Sequence, residues 1–234
     1  MSDTNQQKIY EIPFERNIYF SPAKVLRDYF ALSTEEKAQY EPENRKVIEE
    51  AFQSATWISG IMKLHQREYW MQLVDPQERT PDIRTIVLEK REGKSDWMYE
   101  QDLEVTEYED HSEESIAEFL IRTKLSPKKA YSPLASILCF MNKTMPTPDW
   151  ELVNKQLREM KSSLDVYIVA QVSADEPIFR LIRVNPVLDM DITFNAVDAA
   201  KEWSNVHTRK FRRGTKEEEK VLPDERHYPF WKIR

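Results

Sequence analysis

The segment Thr80-Pro81-Asp82 … Asp102-Leu103-Glu104-Val105-Thr106 constrains this chain more than any other stretch. An acidic residue follows a proline at the head of an apolar, β-branched run, and a second acidic cluster follows across one turn. The turn candidate is Arg91-Glu92-Gly93-Lys94-Ser95, and Gly93 is one of only three glycines in the chain. A hairpin centred on Gly93 sets Asp82 opposite Glu104, with Cβ atoms roughly 5 Å apart. A slip of one residue would move Glu104 to the other face, so this register is decisive. Two carboxylates so close repel unless a cation lies between them or one keeps its proton. Oxygen ligands of this kind suit Mg²⁺ or Mn²⁺. The competing explanation is coincidence, because 41 acidic residues will face one another somewhere.

Around this hairpin the pattern alternates helices and strands. Ser21-Pro22 reads as an N-cap with proline at the first helical position, and a short helix follows to about Ala31. Ser33-Thr34-Glu35-Glu36 starts a second. The longest helical pattern runs from about Glu43 to Leu64, with Ile48, Ala51, Phe52, Ala55, Ile58 and Met62 at helical spacing. Three strands are expected at Tyr69–Val74, Ile83–Lys90 and Trp97–Tyr108. On the third, Leu103 and Val105 take one face, and Asp102, Glu104 and Thr106 the other. Ser112 is expected to cap a helix ending near Arg122, with Glu113 and Glu114 in its first turn. A loop carrying Lys124, Lys128 and Lys129 leads to Leu134–Met141, a continuous apolar run that reads as a central strand covered on both faces. A helix over Trp150–Ser162, strands at Val166–Val172 and Phe179–Val184, and a short helix at Ala196–Glu202 complete the pattern. The expected class is α/β with a mixed sheet, a meander followed by crossover connections. The expected division is an arm with short helices over 1–42, an α/β domain over 43–204 and a charged tail over 205–234.

Composition narrows the function classes. Net charge is −7, which argues against coating nucleic acid through bulk charge and leaves room for a local basic cleft. Cys139 stands alone in an apolar run, so no intrachain disulfide framework or cysteine zinc site is available. The four histidines lack metal-ligand spacing, and no stretch approaches 18 consecutive apolar residues. A soluble, cytoplasmic protein with no membrane association is expected. Two basic stretches suit phosphates: Arg122, Lys124, Lys128 and Lys129, and Arg209, Lys210, Arg212, Arg213 and Lys216 with Phe211 interleaved. Against the second, the run continues into Glu217-Glu218-Glu219, as a solvated tail would. The six tryptophans read chiefly as core anchors. The aromatic arm Ile9-Tyr10 … Phe14 … Ile18-Tyr19-Phe20 either docks on a protein partner or second copy, or packs on its own domain.

The helix–strand–strand–strand–helix–strand order, with Pro81-Asp82 heading the second strand and Glu104 on the third, resembles the PD-(D/E)xK nuclease-like superfamily over roughly residues 43–172. The resemblance implies an αβββαβ restriction-endonuclease-like core flanked by helices. It also implies a metal-dependent endonuclease that hydrolyses phosphodiester bonds of DNA with Mg²⁺ or Mn²⁺. By that resemblance Asp82 and Glu104 are metal ligands and catalytic residues, and a glutamate of the preceding helix, Glu50 or Glu49, completes the metal site. The family lysine is replaced by Thr106, which can donate a hydrogen bond but carries no charge. Three readings of that departure stand: a lysine displaced to Lys124, Lys128 or Lys129; a shifted frame at Asp102-Leu103-Glu104; or an inactive site on a fold that serves as a nucleic-acid or protein-binding scaffold.

Overall fold

The computed structural model describes residues 10–11, 18–75, 81–89, 97–109, 114–126, 131–132, 135–141, 148–173, 175–202, 208–211, 218–219 and 232–233. Strands β1 (Tyr10–Glu11) and β2 (Ile18–Phe20) precede helices α1 (Pro22–Phe30), α2 (Thr34–Ala38) and α3 (Pro42–His65). Then come β3 (Glu68–Leu73), β4 (Ile83–Glu89), β5 (Trp97–Tyr108), α4 (Ile116–Thr123), β6 (Ser136–Met141), α5 (Trp150–Glu159) and β7 (Asp165–Gln171). The rest is β8 (Ile178–Asn185), β9 (Met190–Asn195), α6 (Ala196–Lys201), β10 (Thr208–Phe211), β11 (Glu218–Glu219) and β12 (Lys232–Ile233).

Local chemistry sets the helix starts. Ser21 accepts a hydrogen bond from the Lys24 backbone N–H at 3.1 Å, and Pro22 occupies the first turn of α1. The start of α4 differs from the sequence expectation: its N-cap is Ser115, not Ser112. Ser115 and Glu118 satisfy each other's backbone N–H in a reciprocal capping box, whereas the residue three on from Ser112 in the sequence is Ser115, not Glu or Gln. Ser112 and Glu113 lie outside the described residues, and Glu114 precedes the helix and pairs with Arg122.

Ten strands form one mixed sheet in the order β11-β10-β2-β3-β4-β5-β6-β7-β8-β9, and β1 pairs separately with β12. Strands β3, β4 and β5 are antiparallel neighbours. Helix α4 then carries the chain to β6, parallel to β5, and α5 carries it to β7, parallel to β6. The two continuous apolar runs are therefore adjacent inner strands, as their composition implies. Alternation sorts the side chains. Leu103, Val105, Leu138 and Phe140 join α1, α3 and α6 on one face, while Ile137, Cys139 and Ile168 join α4 and α5 on the other. Helix α3 crosses the first face closely. A Cβ on Gly60 would come within 2.8 Å of the Phe194 ring and 2.9 Å of Leu181, so only glycine fits there without repacking.

Three expectations change. The arm is not wholly irregular: β2 pairs with β3 through Phe20 and Met71, and Tyr19 and Phe20 are buried within the chain itself. These two rings have their own sheet to cover, so they are not presented to a partner subunit. Ile9 and Phe14 lie outside the described residues. Thr208–Phe211, placed in the charged tail, pairs antiparallel with β2 and extends the sheet, whereas Arg212, Arg213 and Lys216 lie outside the described residues. Strand β9, which no sequence pattern marked, pairs with β8 and closes the far edge. Trp57 and Trp70 are fully buried core anchors. No helix among the described residues is long and apolar enough to cross a membrane.

Candidate functional site

The β4–β5 register pairs Ile83 with Leu103 and Arg84 with Asp102. The ladder thus brings Asp82, just ahead of β4, alongside Glu104 and Val105. The backbone N–H of Val105 donates to Asp82 Oδ2 at 2.8 Å and pins the carboxylate there. Glu104 leaves the strand on the face opposite Leu103 and Val105 and is only 5% exposed.

The cation between these carboxylates comes from α4. Lys124 is the C-cap of that helix, and its backbone N–H donates to the Leu120 carbonyl. Its Nζ donates to Glu104 Oε2 at 3.1 Å and to Asp82 Oδ2 at 3.4 Å. One ammonium thus bridges two carboxylates drawn from two strands, with little of its own side chain in solvent.

Helix α3 supplies the next layer. Glu50 is mostly buried and pairs with Lys46 at 3.3 Å, one helical turn earlier. Burial, followed by the negative charge of Asp82, pushes the Glu50 carboxyl up to about 7, against the pull of Lys46 and Lys124. Lys46 is raised above its ordinary value, chiefly by Glu50 and against its own burial, with Asp82 and Glu104 adding to the pull. Of the two glutamates left open by the sequence, Glu50 is the one coupled to Asp82. Glu49 turns to α1, where its Oε2 accepts the Tyr29 hydroxyl at 2.7 Å.

The remaining sequence candidates separate. Thr106 lies on the Glu104 face of β5, half-buried and opposite Cys139 of β6, and is not among the groups that Lys124 touches. Asp102 faces Arg84, whose Nε is 3.5 Å from Asp102 Oδ1 and 3.0 Å from Glu100 Oε1. The shifted frame at Asp102 is therefore engaged in a cross-strand ion pair beside the cluster. Lys128 and Lys129 lie outside the described residues. Two members were not singled out from the sequence. Lys46 was detectable, because it precedes Glu50 by one turn on the same helix face. Tyr131 had no local signal: its link is through the charges of Glu104 and Asp82, which add to burial in raising its phenol.

The donor set consists of hard carboxylate oxygens, which fit Mg²⁺ or Mn²⁺ in kind. In number, two carboxylates converge, and Glu50 is held by Lys46. Among the described residues no three His, Cys, Asp or Glu side chains are gathered as a ready metal shell. In comparison with known proteins, no family model, curated protein or solved structure matches this chain.

Proposed function

We propose that the chain is a metal-dependent nuclease that hydrolyses DNA phosphodiester bonds on a restriction-endonuclease-like αβββαβ core. The core corresponds to α3, β3, β4, β5, α4 and β6. The observation that carries this reading is the convergence of Asp82 and Glu104 on the Lys124 ammonium. In this reading Lys124 is the displaced lysine, supplied by the helix after the third core strand instead of by the position that Thr106 occupies.

Asp82 and Glu104 would hold a Mg²⁺ or Mn²⁺ ion, with Glu50 as a third carboxylate. Such an ion, when bound, polarises phosphoryl oxygens and lowers the pKa of its water. The chain's own groups do the rest. Val105 N–H keeps the Asp82 carboxylate oriented. Lys124 places positive charge beside the two strands, where a phosphate's developing negative charge would need it, and its low exposure makes that charge count for more than at the surface. Thr106 offers a hydroxyl on the same strand face to orient a water or a phosphate oxygen.

The test is cleavage of supercoiled plasmid and of single-stranded DNA with Mn²⁺ or Mg²⁺, wild type beside Asp82→Ala. Metal-dependent cleavage that is lost in the variant is the expected result; no cleavage by wild type on either substrate would refute the reading. A second reading has one observation in its favour. Lys124 already partners both carboxylates, so the cluster can serve as a structural ion-pair network on an inactive scaffold that binds nucleic acid or protein. Under that reading wild type binds DNA or a partner equally well with and without divalent metal, and Asp82→Ala changes stability alone.

A further inference from the structure

Helix α5 buries Val153 and Leu157 against the sheet, while Glu151, Leu152 and Lys155 are exposed. Beside them runs the connection from β8 to β9. Asn154 ties the two together: its Nδ2 donates to the Val184 carbonyl at 2.7 Å and to the Pro186 carbonyl at 3.5 Å. Between helix and connection lies an open groove of about 620 Å³, with Glu151, Leu152 and Lys155 on one wall and Val187 and Leu188 on the other. Because Asn154 fixes the spacing of the walls, the groove is preformed. It shares no residue with the Asp82–Glu104–Lys124 cluster.

Two features of this groove are unspent within the chain. The first is apolar. Leu152 is 51% exposed and Val187 55%, and they stand on opposite walls. Leu188 joins them from the inner side, where it packs against the cluster under α4 and α5. Large apolar side chains gathered around one depression mark a contact surface, whereas scattered ones do not. The second feature is charge. Glu151 stands in the first turn of α5, and Lys155 follows one turn later. That order favours an ion pair within the helix, yet the two form none among the described residues. Asp149, at the same end, accepts the backbone N–H groups of Glu151 and Leu152 on Oδ1. The wall therefore presents a free negative charge near the start of α5 and a free positive charge one turn on. A helix with that polarity complements itself when a second copy is laid across it antiparallel.

We propose that this groove is a two-fold interface between two copies of the chain, with their α5 helices antiparallel. Glu151 of each copy then faces Lys155 of the other. Each Leu152 enters the opposite groove, against Val187 and Leu188. Two-fold symmetry makes every contact twice, so ion pairs that are individually weak count double. An unrelated partner would have to match both the apolar step and the order of charges. A second copy matches both because it carries them. The proposal does not rest on the nuclease reading.

Sedimentation velocity on the full chain, over about 1 to 100 μM, tests it. Wild type should pass from the mass of one chain to that of two as concentration rises; a single-chain mass throughout overturns the proposal. Leu152→Glu should stay monomeric, and its melting temperature should match that of monomeric wild type because the side chain lies mostly outside the core. A dimer that survives Leu152→Glu lies on another surface and also overturns it. Glu151→Lys and Lys155→Glu should each weaken the dimer about tenfold, since each sets like charges opposite one another twice. The double variant Glu151→Lys/Lys155→Glu should recover an affinity within about threefold of wild type. Single variants that dimerise as wild type does, or a double variant weaker than either single, would show that the helices do not lie antiparallel and would refute the interface. Should Leu152→Glu fail to fold, this charge-exchange series decides.

Discussion

Two buried lysines serve this molecule in opposite ways. Lys24 and Asp28 lie one turn apart on α1, both nearly sealed from water, with Nζ to Oδ2 at 2.8 Å. Burial pulls the Lys24 ammonium down, and Asp28 holds it up. Arg27 also lies 3.4 Å from Asp28. This cluster is made from one helix by i,i+4 spacing, and it helps the helix bury. Lys124 instead gathers carboxylates far apart in sequence, one just ahead of β4 and one on β5. Glu50, itself paired with Lys46, couples to Asp82 from a third element. A local, charge-satisfied pair is architecture. A cluster gathered from a strand, the residue ahead of another and a helix cap depends on the whole tertiary fold, and that difference in origin is what separates the candidate site from a local ion pair.

The largest test of this contrast is Asp82→Ala beside Asp28→Ala. Asp82→Ala should lower Mn²⁺-dependent DNA cleavage by about a thousandfold and leave a folded protein. Asp28→Ala should instead cost about 3 kcal/mol of stability, measured by urea denaturation, with cleavage intact wherever the protein is folded. If the two variants exchange these phenotypes, the assignment of roles is reversed.

Lys124→Ala comes next. The loop position suggested by the sequence would make this substitution neutral for folding, but Lys124 caps α4 and bridges two carboxylates. Its removal should therefore destabilise by about 3 kcal/mol and reduce turnover about a hundredfold. Added Mn²⁺ should restore much of the lost melting temperature, because a divalent ion can take the place of the missing charge. Lys24→Ala should show no such recovery, and an equal response to Mn²⁺ in both variants would erase the distinction.

Glu50 gives a smaller, pH-dependent effect. Its folded-state pKa is raised from 4.5 to about 7, so between those values the native state keeps a proton that the unfolded chain has released. This contribution to stability is full below about 4.5 and is lost as pH rises through about 7, an effect of up to about 3 kcal/mol. In EDTA, stability of the wild type should therefore fall across that window, and Glu50→Gln should flatten the decline. An identical pH profile in the variant would place Glu50 outside the coupled cluster. The smallest effect concerns the helices that carry the two lysines. Ser21→Ala and Ser115→Ala should each cost about 1 kcal/mol in chemical denaturation, but only Ser115→Ala should also reduce cleavage, because α4 holds Lys124.

The hairpin shows why some of the site could be read without coordinates. Alternation along Asp102–Thr106 and one turn glycine leave few registers, and the one centred on Gly93 is the one that pairs Ile83 with Leu103. The apolar runs of β6 and β7 are equally explicit, because a strand covered on both faces must be apolar throughout. Strand β10 was missed for the opposite reason. Thr208-Arg209-Lys210-Phe211 has no apolar pattern of its own, and pairing with β2 is what makes it a strand. Strand β9 is similarly short and half-exposed, and its partner β8 defines it.

Residue chemistry and spacing along the chain were enough to place Asp82 against Glu104, because both belong to one hairpin and local geometry governs their meeting. They were enough to mark Lys124 among three lysines, and one-turn spacing would also have paired Lys46 with Glu50, a pair not singled out from the sequence. The choice of Lys124 as the bridging cation and of Glu50 over Glu49 came from packing. Each depends on how α3 and α4 lie against the sheet, and such angles follow from the burial of many apolar side chains at once. A charged residue's partner across that packing is a consequence of the whole core, so no short window of sequence contains it.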